Sequence, residues 1–347
     1  MLKSLKILSV CSLLILTYQV QAQESYQNIE DKIEIDPTQI YPQAIVNKAW
    51  KQKVTLKNGN DTIFINRFDG QGRKTYTKSF SEGRPESITT YTNSQDGKSW
   101  SWSSNRLKNK TVWTSKTTYL SPGVPLQFYN MDYNAKGDTV MSQRAVFNYD
   151  AAGKLLQRSD FTAGRLTIQR KYQYKGKLLI GMTSQMTGSI SKKRMEYRYD
   201  VAGNLVESKE FYEHPKENTL MKTIQYVWKN GKLTEKISQE EISQKRTFNF
   251  SYSYDDKGRL LAYSAKLGAN FKQATFLYEG DRLKEITMNF NSNESFPDAL
   301  PIWRAGAFTG TMVYRKLFGY NEKGDVVSMK EFYDKRLENA WSYELTY

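Results

Sequence analysis

From Val54 onward, apolar and polar residues alternate in short runs broken by turn residues. The clearest run is Arg246 to Ala262. Phe248, Phe250, Tyr252 and Tyr254 recur at every second position, with Asn249, Ser251 and Ser253 between them. An extended chain puts the four rings on one face and the polar side chains on the other. Asp255-Asp256-Lys257-Gly258 follows. It suits a type I turn, because an Asp at the first position accepts backbone hydrogens and a Gly at the fourth takes positive φ at low steric cost. Leu260 and Leu261 open the return strand, so the stretch reads as one β-hairpin.

Copies of this hairpin recur. Phe68-Asp69-Gly70-Gln71-Gly72-Arg73 is a first imperfect one, and Tyr133-Asn134-Ala135-Lys136-Gly137 a second. Tyr149-Asp150-Ala151-Ala152-Gly153-Lys154-Leu155, Tyr199-Asp200-Val201-Ala202-Gly203-Asn204-Leu205 and Tyr320-Asn321-Glu322-Lys323-Gly324 follow. Shorter variants keep the aromatic, the Gly and the Leu: Tyr174 to Leu178, Trp228 to Leu233 and Tyr278 to Leu283. Motif glycines from Gly153 to Gly280 are spaced by 23, 27, 28, 27 and 22 residues. Each period holds two ordinary strands and one further turn, so all motif turns are expected along one edge. The variable segments 213–218, 239–243 and 268–270 would form the opposite edge. The spacing rises to 44 between Gly280 and Gly324; the excess, residues 291–310, is an insertion, and insertions in repeat arrays often lie on a binding face. No helix is expected after residue 50.

The expected fold class is therefore all-β, with antiparallel hairpin repeats forming one extended or curled, spiral or shell-like sheet. Residues 51–132, which hold Trp100, Trp102 and Trp113 among Ser and Thr, form a less regular hairpin region, and residues 133–347 hold the regular repeats. Asn58-Gly59 signals a type I′ turn in the first of these regions. Residues 23–50, acidic at first and with Pro37 and Pro42, read as an extended N-terminal lead. Residues 1–22 read as a secretory signal peptide: Lys3 and Lys6, an apolar run from Ile7 to Leu16, then Val20-Gln21-Ala22. Their apolar core is shorter than the ~20 residues of a membrane-spanning helix. No transmembrane helix is expected elsewhere.

At Tyr149, Tyr199 and Tyr254 the string Tyr-Asp-x-x-Gly-x-Leu resembles the YD repeat of the Rhs family, also found in teneurins. The likeness covers about residues 68–333. It implies long antiparallel hairpins whose sheet curls into a spiral or shell, and a surface or secreted setting. In Rhs toxins the shell encloses a C-terminal effector; here the last motif is followed only by residues up to Tyr347, so the toxin-delivery function is not carried over.

Charge adds a preference for partners. Lys and Arg exceed Asp and Glu by 15 over the 347 residues. Such a surface attracts lipid headgroups, acidic glycans or nucleic acid, and it also keeps exposed strands from aggregating. Export disfavours nucleic acid. The expected partners are a glycan, an anionic envelope component or another envelope protein.

Catalytic chemistry lacks parts. Cys11 is the only cysteine and lies in the signal segment, and His214 is the only histidine. A zinc site or a nucleophilic triad would have to be built almost without them. Gly97-Lys98-Ser99 lacks the first Gly of a phosphate-binding loop, since position 92 is Thr. Asp255/Asp256 and Glu240/Glu241 are the visible carboxylate pairs, and all fall in turns. No enzyme activity, cofactor or metal is expected. Aromatic platforms for sugar rings are the better candidates: Phe296, Trp303, Arg304 and Phe308 in the insertion, and Trp100 and Trp102, with Trp113 nearby. The sequence thus reads as an exported, non-enzymatic binding or structural module, periplasmic, cell-surface or secreted. Two alternatives stand beside it: an outer-membrane β-barrel, suggested by Trp341, Tyr343, Leu345 and Tyr347 alternating up to a terminal aromatic, and a shell-like subunit of an Rhs-type assembly.

Overall fold

The computed structural model describes residues 51–347 except 59–60, 95, 97, 122–123, 243–244, 292–295 and 297–310. The expected signal peptide and N-terminal lead lie outside the described residues. Within them every element is a strand: β1 (Gln52–Lys57), β2 (Asp61–Phe68), β3 (Lys74–Ser81), β4 (Arg84–Asn93), β5 (Ser99–Arg106), β6 (Val112–Ser121), β7 (Val124–Tyr133), β8 (Thr139–Tyr149), β9 (Leu155–Thr162), β10 (Arg165–Lys175) and β11 (Leu178–Met186). Then come β12 (Lys192–Tyr199), β13 (Leu205–His214), β14 (Glu217–Lys229), β15 (Lys232–Glu240), β16 (Arg246–Tyr254), β17 (Leu260–Leu267), β18 (Asn270–Glu279), β19 (Arg282–Phe290), β20 (Met312–Tyr320), β21 (Val326–Tyr333) and β22 (Arg336–Thr346). The chain divides into two compact units, one of residues 89–169 and one of residues 51–88 with 170–347.

The all-β antiparallel expectation is met in both units. In the smaller one β5 to β9 form a meander of neighbouring antiparallel pairs. In the larger, β11 to β22 do the same. One part of the expectation is corrected. In an open extended or curled sheet the last strand would be an edge, but β1 pairs with β22 from Gln52↔Thr346 to Lys57↔Trp341. β2 and β3 continue beyond β1. The first strand thus covers the edge of the last, which is the connection that closes a sheet into a barrel and removes an aggregation-prone edge.

The repeat motif has a local physical cause. In each full copy the Asp or Asn carboxyl or amide oxygen accepts backbone N–H groups of the turn; Asp255 Oδ1 takes Arg259 N at 2.8 Å, and Asn134 Oδ1 takes Lys136 N and Asp138 N. The Gly at the fourth position has φ +80 at Gly258 and +79 at Gly153, in the left-handed region where a Cβ is strained. A β-bulge precedes each turn, and across it the motif aromatic faces the motif Leu: Tyr149↔Leu155, Tyr199↔Leu205, Trp228↔Leu233, Tyr254↔Leu260 and Tyr278↔Leu283. Val326 takes the Leu place opposite Tyr320.

Successive hairpins are then locked together by the same aromatics. The ladder between β15 and β16 stops at Glu235↔Ser251. Beyond it, the Tyr254 hydroxyl donates to the Leu233 carbonyl at 2.9 Å. Trp228 Nε1 donates to Leu205 O at 2.7 Å, Tyr278 to Leu260 O at 3.1 Å and Tyr320 to Leu283 O at 2.6 Å. These four motif aromatics thus satisfy a carbonyl of the preceding motif Leu, while the Tyr149 hydroxyl donates to Pro125 O at 2.6 Å. Burial pushes the Tyr254 and Tyr320 phenols up to about 12. A folded pKa above the unfolded value means that this stabilisation is fully present below pH ~10 and is lost as pH rises through 12. Tyr254→Phe is expected to cost ~1–2 kcal/mol, an orphaned carbonyl plus one hydrogen bond, read as a shifted urea midpoint at pH 7 that converges with wild type above pH 12.

The two faces of the larger unit differ sharply. Met195, Tyr197, Phe248, Phe250, Tyr252, Tyr263, Phe276, Ile286 and Met288 are buried on one face. The intervening Glu196, Asn249, Ser251 and Thr275 are exposed. The alternation legible in residues 246–254 therefore runs through the sheet. β19 and β20, which flank the insertion in the chain, pair from Glu285↔Leu317 to Phe290↔Met312.

Candidate functional site

The candidate site is a groove of about 560 Å³ in the smaller unit, formed across β4, β5, β6 and β7. Cross-strand register builds its floor. Ser101 faces Lys116 and Ser103 faces Thr114; Lys116 then faces Tyr129, and Thr114 faces Met131. Period-two alternation puts these six side chains on one face, with Thr90 and Thr92 of β4 completing the lining. The row continues out of the groove: Tyr129 faces Arg144, and Arg144 faces Phe161. The Arg144 guanidinium lies 5.6 Å from the Tyr129 ring centroid and 5.4 Å from that of Phe161. The result is an alternation of cation and ring, Lys116, Tyr129, Arg144, Phe161, running across four strands.

Hydroxyls dominate the groove, and no acid lines it. Thr114 donates to the Met131 carbonyl at 3.5 Å. Thr90, Thr92, Ser101 and Ser103 make no side-chain hydrogen bond among the described residues. Such a surface can hold a polar ligand by hydrogen bonds, a ring face and positive charge. It has no general base, nucleophile or metal-ligating set.

The structure places the sequence-predicted residues variously. Trp100 and Trp102 alternate with Ser101 and Ser103 along β5; Trp100 lies tilted against Tyr91 at 6.2 Å, and Trp102 is among the residues that line the groove. Trp113 is exposed, with the Arg106 guanidinium 4.2 Å over its ring. Phe296 is buried at 5% exposure, edge-on to Phe248 at 5.8 Å, with Lys272 Nζ 5.1 Å over its ring. Trp303, Arg304 and Phe308 lie outside the described residues. Lys116, Tyr129 and Arg144 escaped the sequence reading. Their types are ordinary for strands, and only the register aligns them.

Side chains that drew attention as possible catalysts have local partners. His214 Nδ1 accepts Lys216 N at 3.3 Å in the β13–β14 turn. Asp255 binds Arg259 within its own turn, and Glu240 Oε2 takes both Nε and a terminal nitrogen of Arg246. Among the described residues no group of three or more His, Cys, Asp or Glu side chains could hold a metal ion.

No family model matches the chain, and no curated protein matches it. Solved structures overlap it loosely. A crystal structure of TcdB2-TccC3-TEV is 14% identical over 81% of this chain, with a TM-score of 0.39, and this chain spans only 17% of that one. A porin-like protein from Bacteroides uniformis is 10% identical over 75% of this chain and 95% of its own, with a TM-score of 0.32. Another from Bacteroides vulgatus is 11% identical over 86% and 98%, with a TM-score of 0.22. At these values the overlaps bear on neither function nor location. The resemblance to YD repeats rests on the motif residues and their shared turn geometry.

A second electrostatic feature lies in the larger unit. Lys53 Nζ sits 4.0 Å from the Tyr343 ring centroid. Burial, and then the nearby charge of Lys74, lower the Lys53 ammonium to about 8; burial also lowers Lys74.

Proposed function

We propose that the protein is an exported, non-enzymatic β-repeat wall of the cell envelope, shell-like and bathed in water, whose exposed face serves for binding. The observation that carries this reading is the charge on that exposed face. A lipid-facing strand keeps one face apolar over a ~25 Å band, and an Arg or Lys at its midplane costs ~2–4 kcal/mol. Here the exposed rows are Arg198–Glu207–Gln225, Glu196–Lys209 and Leu277–Glu285–Leu317–Lys330. Arg315 grips Glu285 with two nitrogens at 2.7 and 2.9 Å. The large apolar side chains lie mostly on the other, buried face, the reverse of a membrane barrel.

An outer-membrane barrel is the second reading, favoured by the pairing of β1 with β22. Its other sequence support, the terminal aromatic alternation, has an internal use: the Tyr347 hydroxyl donates to Asp325 at 2.6 Å and accepts from Asn321 Nδ2 at 2.9 Å. Fractionation of cells expressing the full chain separates the two. The water-facing reading expects the protein in the soluble exported fraction or released from membranes by a salt or carbonate wash. Retention in the outer membrane through both washes, with heat-modifiable migration, would overturn it in favour of the barrel.

A further inference from the structure

We propose that the groove of β4 to β7 binds an acidic oligosaccharide of the uronic-acid type, lying across the strands over Tyr129 with carboxylates at Lys116 and Arg144. The proposal deepens the reading of the protein as a water-facing binding wall and rests on it.

Charge is the first observation. Several cations elsewhere in the sheet are paired: Arg315 with Glu285, Arg246 with Glu240, Lys193 with Glu210, and Arg194 with Glu213. Lys116 and Arg144 are both exposed, share the groove face, and make no ion pair among the described residues. They stand two strands apart, roughly 10 Å at the usual strand spacing. A ligand with a single charge meets one of them; a chain with repeated charges meets both.

Hydrogen bonding is the second. Four hydroxyls, on Thr90, Thr92, Ser101 and Ser103, have no side-chain partner among the described residues and can both donate and accept. Sugar hydroxyls need that dual capacity along their length. The third observation is the Tyr129 ring between the two cations, an apolar face for a pyranose ring. A groove of this volume falls within the ~300–1,000 Å³ of small-ligand sites. Single-stranded nucleic acid fits less well, because its bases need a series of stacking rings, and in the row across the strands Arg144 separates the Tyr129 ring from that of Phe161. A neutral glycan would leave both cations unused.

The test is calorimetric titration of the purified full chain with hexagalacturonate and with its methyl ester, which keeps the sugar and removes the charge. The acid form is expected to bind at least tenfold more tightly than the ester and to weaken with rising salt. Lys116→Ala and Arg144→Ala should each weaken it about tenfold, the scale of one charge-assisted hydrogen bond, while Lys216→Ala, in an exposed turn of the other unit, leaves it unchanged. Melting curves of the variants confirm the fold. Equal affinity for acid and ester, variants that bind like wild type, an equal loss in Lys216→Ala, or no binding at millimolar ligand would each overturn the proposal. Because the titration uses purified protein, it fails or succeeds independently of the cell fraction in which the protein is found.

Discussion

Phe248→Ala is expected to destabilise the larger unit by ~3–5 kcal/mol, the cost of emptying a fully buried ring site. Phe248 has 0% exposure. Ser238, also fully buried, faces it across the β15–β16 ladder, and the Phe296 ring meets it edge-on at 5.8 Å. A polar neighbour on one side and a loop residue on the other give the surroundings little freedom to collapse into the void. Ser251→Ala on the exposed face of the same strand should stay within ~0.5 kcal/mol. Urea midpoints of the two variants test the assignment of faces directly, and comparable losses would contradict it. The pair also tests the insertion. In a double-mutant cycle Phe248→Ala and Phe296→Ala should couple by ~0.5–1.5 kcal/mol beyond additivity, the range of an aromatic edge contact. Zero coupling would mean that Phe296 does not anchor its segment to the sheet.

Much of this fold is legible in the sequence because its determinants are local. The alternation of Phe248, Phe250 and Tyr252 fixes a buried face, and Asp255 and Gly258 fix the turn through contacts within four residues of each other. The recurring Leu is legible as part of the motif, and the structure supplies its reason: it faces the motif aromatic across a bulge and offers its carbonyl to the next aromatic. What the sequence hides is whatever depends on register between distant segments. Nothing in Gln52–Lys57 names Arg336–Thr346 as its partner, because strand pairing is satisfied by backbone groups that every residue carries. The groove is hidden for the same reason. Lys116, Tyr129 and Arg144 are unremarkable in their own strands and meet only when two registers coincide. Trp100 and Trp102 attract attention by type, and Trp102 does line the groove, but the hydroxyls of Ser101 and Ser103 between and beside them give no such signal in the sequence. Phe296 stands in a polar, proline-containing segment that promises exposure, and it is packed against the core.

Lys53→Met should stabilise the protein at neutral pH, by an amount that fades as pH rises. The Lys53 ammonium titrates at about 8 in the folded chain against an ordinary 10.5. Between those values the unfolded chain holds a proton that the folded one has shed, so stability rises with pH across the window, and the full cost of charging Lys53 is carried below pH 8. Burial is the main cause, the charge of Lys74 the second. The shift sets an upper bound of ~3 kcal/mol; losing the contact with the Tyr343 ring returns ~0.5–1 kcal/mol. A net gain of ~1–2 kcal/mol at pH 7 follows, shrinking through pH 9 and nearly gone at 10.5, as urea midpoints at three pH values would record. A gain independent of pH would place the effect in packing instead. The location gives the result a structural meaning. Lys53 faces Leu345 in the pairing of β1 with β22, so a half-buried charge opposes the contact that covers the edge of the last strand. Backbone groups hold that contact: Lys51 N donates to Thr346 O at 2.7 Å and Asn58 N to Ala340 O at 2.6 Å. Relieving the charge should therefore slow amide hydrogen exchange in β1 and β22 at pH 7 more than in β16 and β17, where the core already sets the rate.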